Sequence, residues 1–179
     1  SIKRNYARKS SVAAFQSNSE GSAFTNLVIT ENKGTFQPEL EKRPEDGSST
    51  FTLTSSNLTI TGCILTNNHS DADTAGFFIT ESTLIMEGSV MSQHKGEEFE
   101  ASCIVANYLS TLDISECKFE ENFASEGVMK IDSGESITFK NNYFVNNQAQ
   151  TSGSVATMFQ TKIISITGDV YSNNYVVEK

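Results

Sequence analysis

One pattern limits what this chain can fold into more than any other. A pair of apolar residues two apart is followed by a third apolar residue seven after the first, and an asparagine stands three further on. Leu112, Ile114, Phe119 and Asn122 show it most clearly. The same offsets fit Leu58, Ile60, Leu65 and Asn68; Leu84, Met86, Met91 and His94; Ile137, Phe139, Phe144 and Asn147; and Ile164, Ile166, Tyr171 and Asn174. Phe24, Ile29 and Asn32 form a weaker first copy. The leading residues are spaced by 26, 28, 25 and 27 positions. A repeat of this length specifies a solenoid, in which each unit buries its apolar face only against its neighbours.

The unit is made of strands. No apolar stripe with a 3.6-residue period persists, and β-branched residues alternate with Ser, Thr and Asn. A second alternating segment follows each asparagine, as in 50–54, 76–80, 103–106, 127–131 and 155–158. With the Leu65-type stretch this predicts three short strands per turn and an all-β, right-handed parallel β-helix of about six turns. Strands stacked about 4.8 Å apart make such a rod about 25–30 Å long.

The whole of 1–179 reads as a single β-helix segment. Residues 1–10 carry Lys3, Arg4, Arg8 and Lys9 with little periodicity and read as an irregular basic end. The interval from Asn32 to Asn68 is 36 residues, and the surplus falls in 37–48, with both prolines, Pro38 and Pro44. Proline cannot donate to a sheet ladder, so this is an inserted charged loop. Residues 95–100 form a smaller acidic bulge. Neither end offers a cap for its terminal turn, so the expectation is a piece of a longer β-helix or an end that packs on another protein.

A formal net charge of −9 argues against nucleic acid, whose phosphates need a basic footprint, and against an anionic membrane surface. No apolar run reaches the ~20 residues of a membrane span. The partners expected are proteins, glycans or further copies of the chain, with no cofactor. Cys63 and Cys117 share an offset two repeats apart, about 9–10 Å in a stacked solenoid, too far for a disulfide. All three cysteines are expected to be reduced core filler.

The column Asn32, Asn68, His94, Asn122, Asn147 and Asn174 is the most specific feature. Asparagine at a corner tolerates left-handed backbone, and stacked amides can hydrogen-bond from turn to turn. The column therefore reads as structural. His94 stands in it and stacks on Asn68, so Lys95 becomes the neighbour of His69 and no histidine pair forms. Thr52, Thr54, Thr59 and Thr61 read as outward strand residues. Two glycosylation sequons occur, at Asn57 and Asn68. Asn57 sits at an exposed corner and can carry a glycan; a glycan on Asn68 conflicts with stacking.

The segments Phe119-Glu-Glu-Asn122 and Phe144-Val-Asn-Asn147 resemble the Phe-x-x-Asn motif of the chlamydial polymorphic outer membrane protein repeats. Leu65 to Asn68 and Tyr171 to Asn174 are relaxed versions. That family follows the motif with a glycine-rich segment, whose counterparts here are Ala75-Gly76, Glu126-Gly127 and Gly153-Ser154. The resemblance spans about residues 22–174. It implies a right-handed parallel β-helix in a surface or secreted protein, often an adhesin. The functional expectation is a non-catalytic structural or adhesive module at the cell surface or outside the cell, acting through its faces, loop 37–48 or open ends. A subunit of an ordered, filament-like assembly is the alternative. A polysaccharide lyase or glycoside hydrolase ranks below both: Asp71 and Asp73 form an acidic step beside Glu97 and Glu98 that could hold a cation but reads first as a solvated corner, and all three arginines lie outside the regular turns.

Overall fold

A computed structural model describes residues 1–7, 10–17, 20–34, 49–70, 74–96 and 101–177. Loop 37–48 and the acidic residues Asp71, Asp73, Glu97 and Glu98 lie outside this set.

The described chain is a parallel β-solenoid with four sheets, holding seven, seven, six and six strands. One coil shows the plan: Thr111–Ser115, Lys118–Glu120, Phe123–Ala124 and Met129–Asp132, each in a different sheet. Every strand pairs in parallel with the equivalent strand of the coils before and after. This gives six complete coils and half of a seventh. The three-strand unit expected from the sequence is corrected to four. The added strand is the two-residue piece after each corner asparagine, as in His69–Ser70 and Gln148–Ala149. Its inward residue is small in the interior coils, where the corner turns sharply: Ser70, Gly96, Ala124 and Ala149 are buried in succession.

The first ten residues are also corrected. Ile2–Lys3 and Tyr6–Ala7 are strands, and Ile2 pairs with Ile29 in the register of the leading sheet. Ile2-Lys-Arg-Asn5 is thus one more copy of the repeat, masked in the sequence by its basic residues.

The apolar offsets supply the core. Leu58, Leu84, Leu112 and Ile137 stack at one register, Ile60, Met86, Ile114 and Phe139 at the next, and all are buried. Where stacked residues are aromatic, the rings lie face to face: Phe119 on Phe144 with centroids 4.9 Å apart and planes 7° apart, and Phe51 on Phe77 at 5.0 Å and 9°. The strand spacing of ~4.8 Å places flat rings near van der Waals contact, which favours like residues in one column. Cys63, Cys103 and Cys117 are free and buried, as their spacing requires.

The glycine-rich segment has a packing reason. A Cβ on Gly76 would stand 2.0 Å from the carbonyl oxygen of Cys103 in the next coil, and one on Gly127 would stand 2.0 Å from that of Gly153. Both approaches are backbone on backbone, so nothing flexible can yield.

Candidate functional site: the corner ladders and the groove beside them

Each turn into the two-residue strand is made by one residue in left-handed backbone, followed by the column residue. The left-handed positions are Arg4, Glu31, Asn67, Gln93, Glu121, Asn146 and Asn173, with φ between 52° and 57°. The column asparagine itself is not left-handed, which corrects that part of the corner geometry. Its side chain is instead free to bond the neighbouring coils.

The structure places every expected column residue in one ladder, broken in its side-chain bonding only at His94, and adds Asn5 at its start. Asn5 Nδ2 donates to Asn32 Oδ1 at 2.9 Å, and Asn32 Nδ2 to Asn68 Oδ1 at 3.0 Å. Asn122 Nδ2 donates to Asn147 Oδ1 at 3.0 Å, and Asn147 Nδ2 to Asn174 Oδ1 at 2.9 Å. Each accepting Oδ1 also takes the backbone N–H of the residue below, as in Asn32 to Asn68 at 3.0 Å and Asn122 to Asn147 at 3.1 Å. The other amide hydrogen goes to a main-chain carbonyl, from Asn122 to Met91 at 3.0 Å and from Asn147 to Phe119 at 2.9 Å. Asn32, Asn68, Asn122 and Asn147 are all buried. A buried amide left without partners is costly, and here nearly every donor and acceptor is matched.

His94 alone interrupts the series. Its backbone N–H donates to Asn122 Oδ1 at 3.0 Å, as an asparagine would. Its Nδ1 accepts the N–H of Asn68 at 3.3 Å, while Nε2 is buried without a partner. His69 pairs with Lys95 in the adjoining sheet, so the two histidines do not meet.

A second ladder runs along the corner between the five-residue and three-residue strands. The Cys63 N–H donates to Ser89 Oγ at 3.1 Å, the Cys117 N–H to Asn142 Oδ1 at 2.9 Å, and the Asn142 N–H to Asp169 Oδ1 at 2.8 Å. The Leu27 N–H reaches Cys63 Sγ at 3.4 Å. Ser82 Oγ takes the Ser56 N–H at 3.0 Å at a third corner. Cys63 and Cys117 are therefore corner residues as well as filler. Burial pushes the Cys117 thiol up to about 11, and it pushes Cys103 higher still. Neither thiol is a nucleophile at neutral pH.

Outside the asparagine ladder the surface carries an open groove of about 630 Å³, lined by Lys95, Glu121, Asn122, Phe123, Asn146 and Gln148. Phe123 and Gln148 are stacked neighbours pointing outward, and Lys95 precedes them in the same column. The left-handed residues Glu121 and Asn146 form its rim. The groove joins residues about 25 apart in sequence, so only stacking brings them together. Asn57 opens its strand and is exposed, whereas Asn68 is buried.

Coils of parallel strands with side-chain ladders at their corners and flat stacked columns inside define a β-helix. The family description for a right-handed β-helix region matches residues 1–177, and the chain belongs to that family. No curated protein and no solved structure matches it significantly.

Proposed function

We propose that this chain is a non-catalytic structural and adhesive module of a surface or secreted protein, akin to the chlamydial polymorphic outer membrane protein repeats. One observation carries the reading: the buried polar side chains at the corners, Asn32, Asn68, Asn122, Asn142, Asn147 and Ser89, are occupied in bonding coil to coil. Recognition then falls to the outer surface, and the groove around Phe123 offers an aromatic ring beside an ammonium, a carboxylate and amides. That mix suits a sugar or a polar protein segment. The Phe-x-x-Asn corners support the kinship.

The test is binding of the purified chain to immobilised glycans and extracellular proteins, with Phe123→Ala and Gln148→Ala beside the wild type. Specific binding lost in these variants supports the reading. Release of new reducing ends or unsaturated sugars from a polysaccharide, without stable binding, would turn it to the lyase or hydrolase alternative.

A second reading is a subunit of an ordered, filament-like assembly, in which the parallel pairing that joins coil to coil continues from one copy to the next. Sedimentation across concentration separates the readings: growth that Ile166→Lys abolishes favours assembly, and a monomer favours the first. An intact-mass increase at Asn57 on native material would place the chain in a secretory route.

A further inference from the structure

The break at His94 is chemically one-sided. Elsewhere in the ladder one oxygen accepts both the backbone N–H and the amide of the coil below, as Asn68 Oδ1 does for Asn32 and Asn147 Oδ1 for Asn122. The asparagine also donates to a main-chain carbonyl of the adjacent coil, as Asn122 does to Met91. His94 supplies only Nδ1, to the Asn68 N–H at 3.3 Å. When Nδ1 accepts, the neutral ring carries its proton on Nε2, the atom that is buried without a partner; in the other tautomer Nδ1–H donates to the Asn68 carbonyl at 3.4 Å and leaves the Asn68 N–H without its acceptor.

We propose that His94 is an acid-sensitive joint in the solenoid. A proton taken from solvent at Nδ1 removes the acceptor of the Asn68 N–H, sets two N–H groups against each other, and buries a charge. The coils on either side of this rung then separate more readily in acid, while the all-asparagine rungs hold.

The surroundings favour this. Nδ1 also lies 3.4 Å from the Asn68 carbonyl, and that oxygen and the Leu65 carbonyl favour the charged ring. Burial outweighs both and holds the pKa down from 6.5 to about 4. Among the described residues the charged or titratable side chains at this corner are His69, Lys95 and Glu121. All three are half-buried or exposed on the outer surface, and Glu121 holds the Gln93 amide. None of them offers a buried counter-charge to the ring. With the folded pKa below the unfolded one, the unfolded chain binds the extra proton first. The contribution is present above pH ~6.5 and is lost as pH falls through about 4, where the folding constant has dropped by about 150-fold on its way to a limit of about 300-fold.

The experiment is hydrogen exchange, corrected for intrinsic rates, at pH 7 and pH 4.5 on the wild type, His94→Asn and His69→Asn. The wild type and His69→Asn should lose protection at Asn68 and its neighbours on acidification, whereas His94→Asn should keep it. An equal acid response in wild type and His94→Asn, or its loss in His69→Asn, overturns the proposal. Nitrogen NMR of the wild-type ring gives a second check that needs no variant. It should show an Nε2–H tautomer that titrates well below pH 6; a ring titrating near 6.5 while Asn68 stays protected would refute it.

Discussion

Replacing Asn122 with alanine removes one rung from the middle of the ladder, and its cost can be worked from the contacts. The side chain accepts from the His94 N–H and donates to Met91 O and Asn147 Oδ1, each at 3.0 Å. Truncation leaves the His94 N–H buried with no acceptor, at a cost of about 1–3 kcal/mol. The two lost donor bonds add about 0.5–1.5 kcal/mol each. Asn147 Oδ1 keeps the Asn122 backbone N–H, so that oxygen is not orphaned. The total is about 2–6 kcal/mol, a large share of the roughly 5–15 kcal/mol that holds a typical domain folded. Urea denaturation followed by far-UV circular dichroism should show it, and the melting temperature should fall by about 4–24 °C. Lys140→Ala, on an exposed outward position, should stay within about 0.5 kcal/mol of wild type. An Asn122→Ala protein within about 1 kcal/mol of wild type would show that strand pairing alone holds the coils, and the ladder would have no energetic role.

Two further outcomes follow from the packing. Gly76→Ala has ordinary backbone but forces a methyl onto the Cys103 carbonyl, so it should destabilise by more than the roughly 1–3 kcal/mol usual for overpacking, read as a shift in urea midpoint. The three buried thiols should resist a thiol reagent at neutral pH in the native protein and react together on unfolding, and rapid native labelling of any one would contradict their placement.

The asparagine column was legible in the sequence because few residues meet its geometry. The side chain must accept from one coil and donate to another at a fixed distance from Cβ, so asparagine recurs. The second ladder asks only for an acceptor close to Cβ, and Ser89, Cys117, Asn142 and Asp169 all qualify. No single letter repeats there, and the corner was hidden. The two-residue strands are too short for alternation to register, although an asparagine followed two later by Gly, Ser or Ala marks them once the coil is known. Asn5 was obscured by its basic neighbours. The groove left no trace in the sequence, since Lys95, Phe123 and Gln148 become neighbours only when coils stack.

The central claim is that corner side chains couple adjacent coils. A double-mutant cycle of Asn122→Ala and Asn147→Ala measures this coupling most directly. The side-chain bond from Asn122 to Asn147 predicts that the double variant loses about 0.5–1.5 kcal/mol less than the sum of the single losses. Asn122 and Asn142, in different ladders with no shared partner, should add. Strict additivity of Asn122 with Asn147 would mean the rungs are independent, and would contradict the coupling of coil to coil.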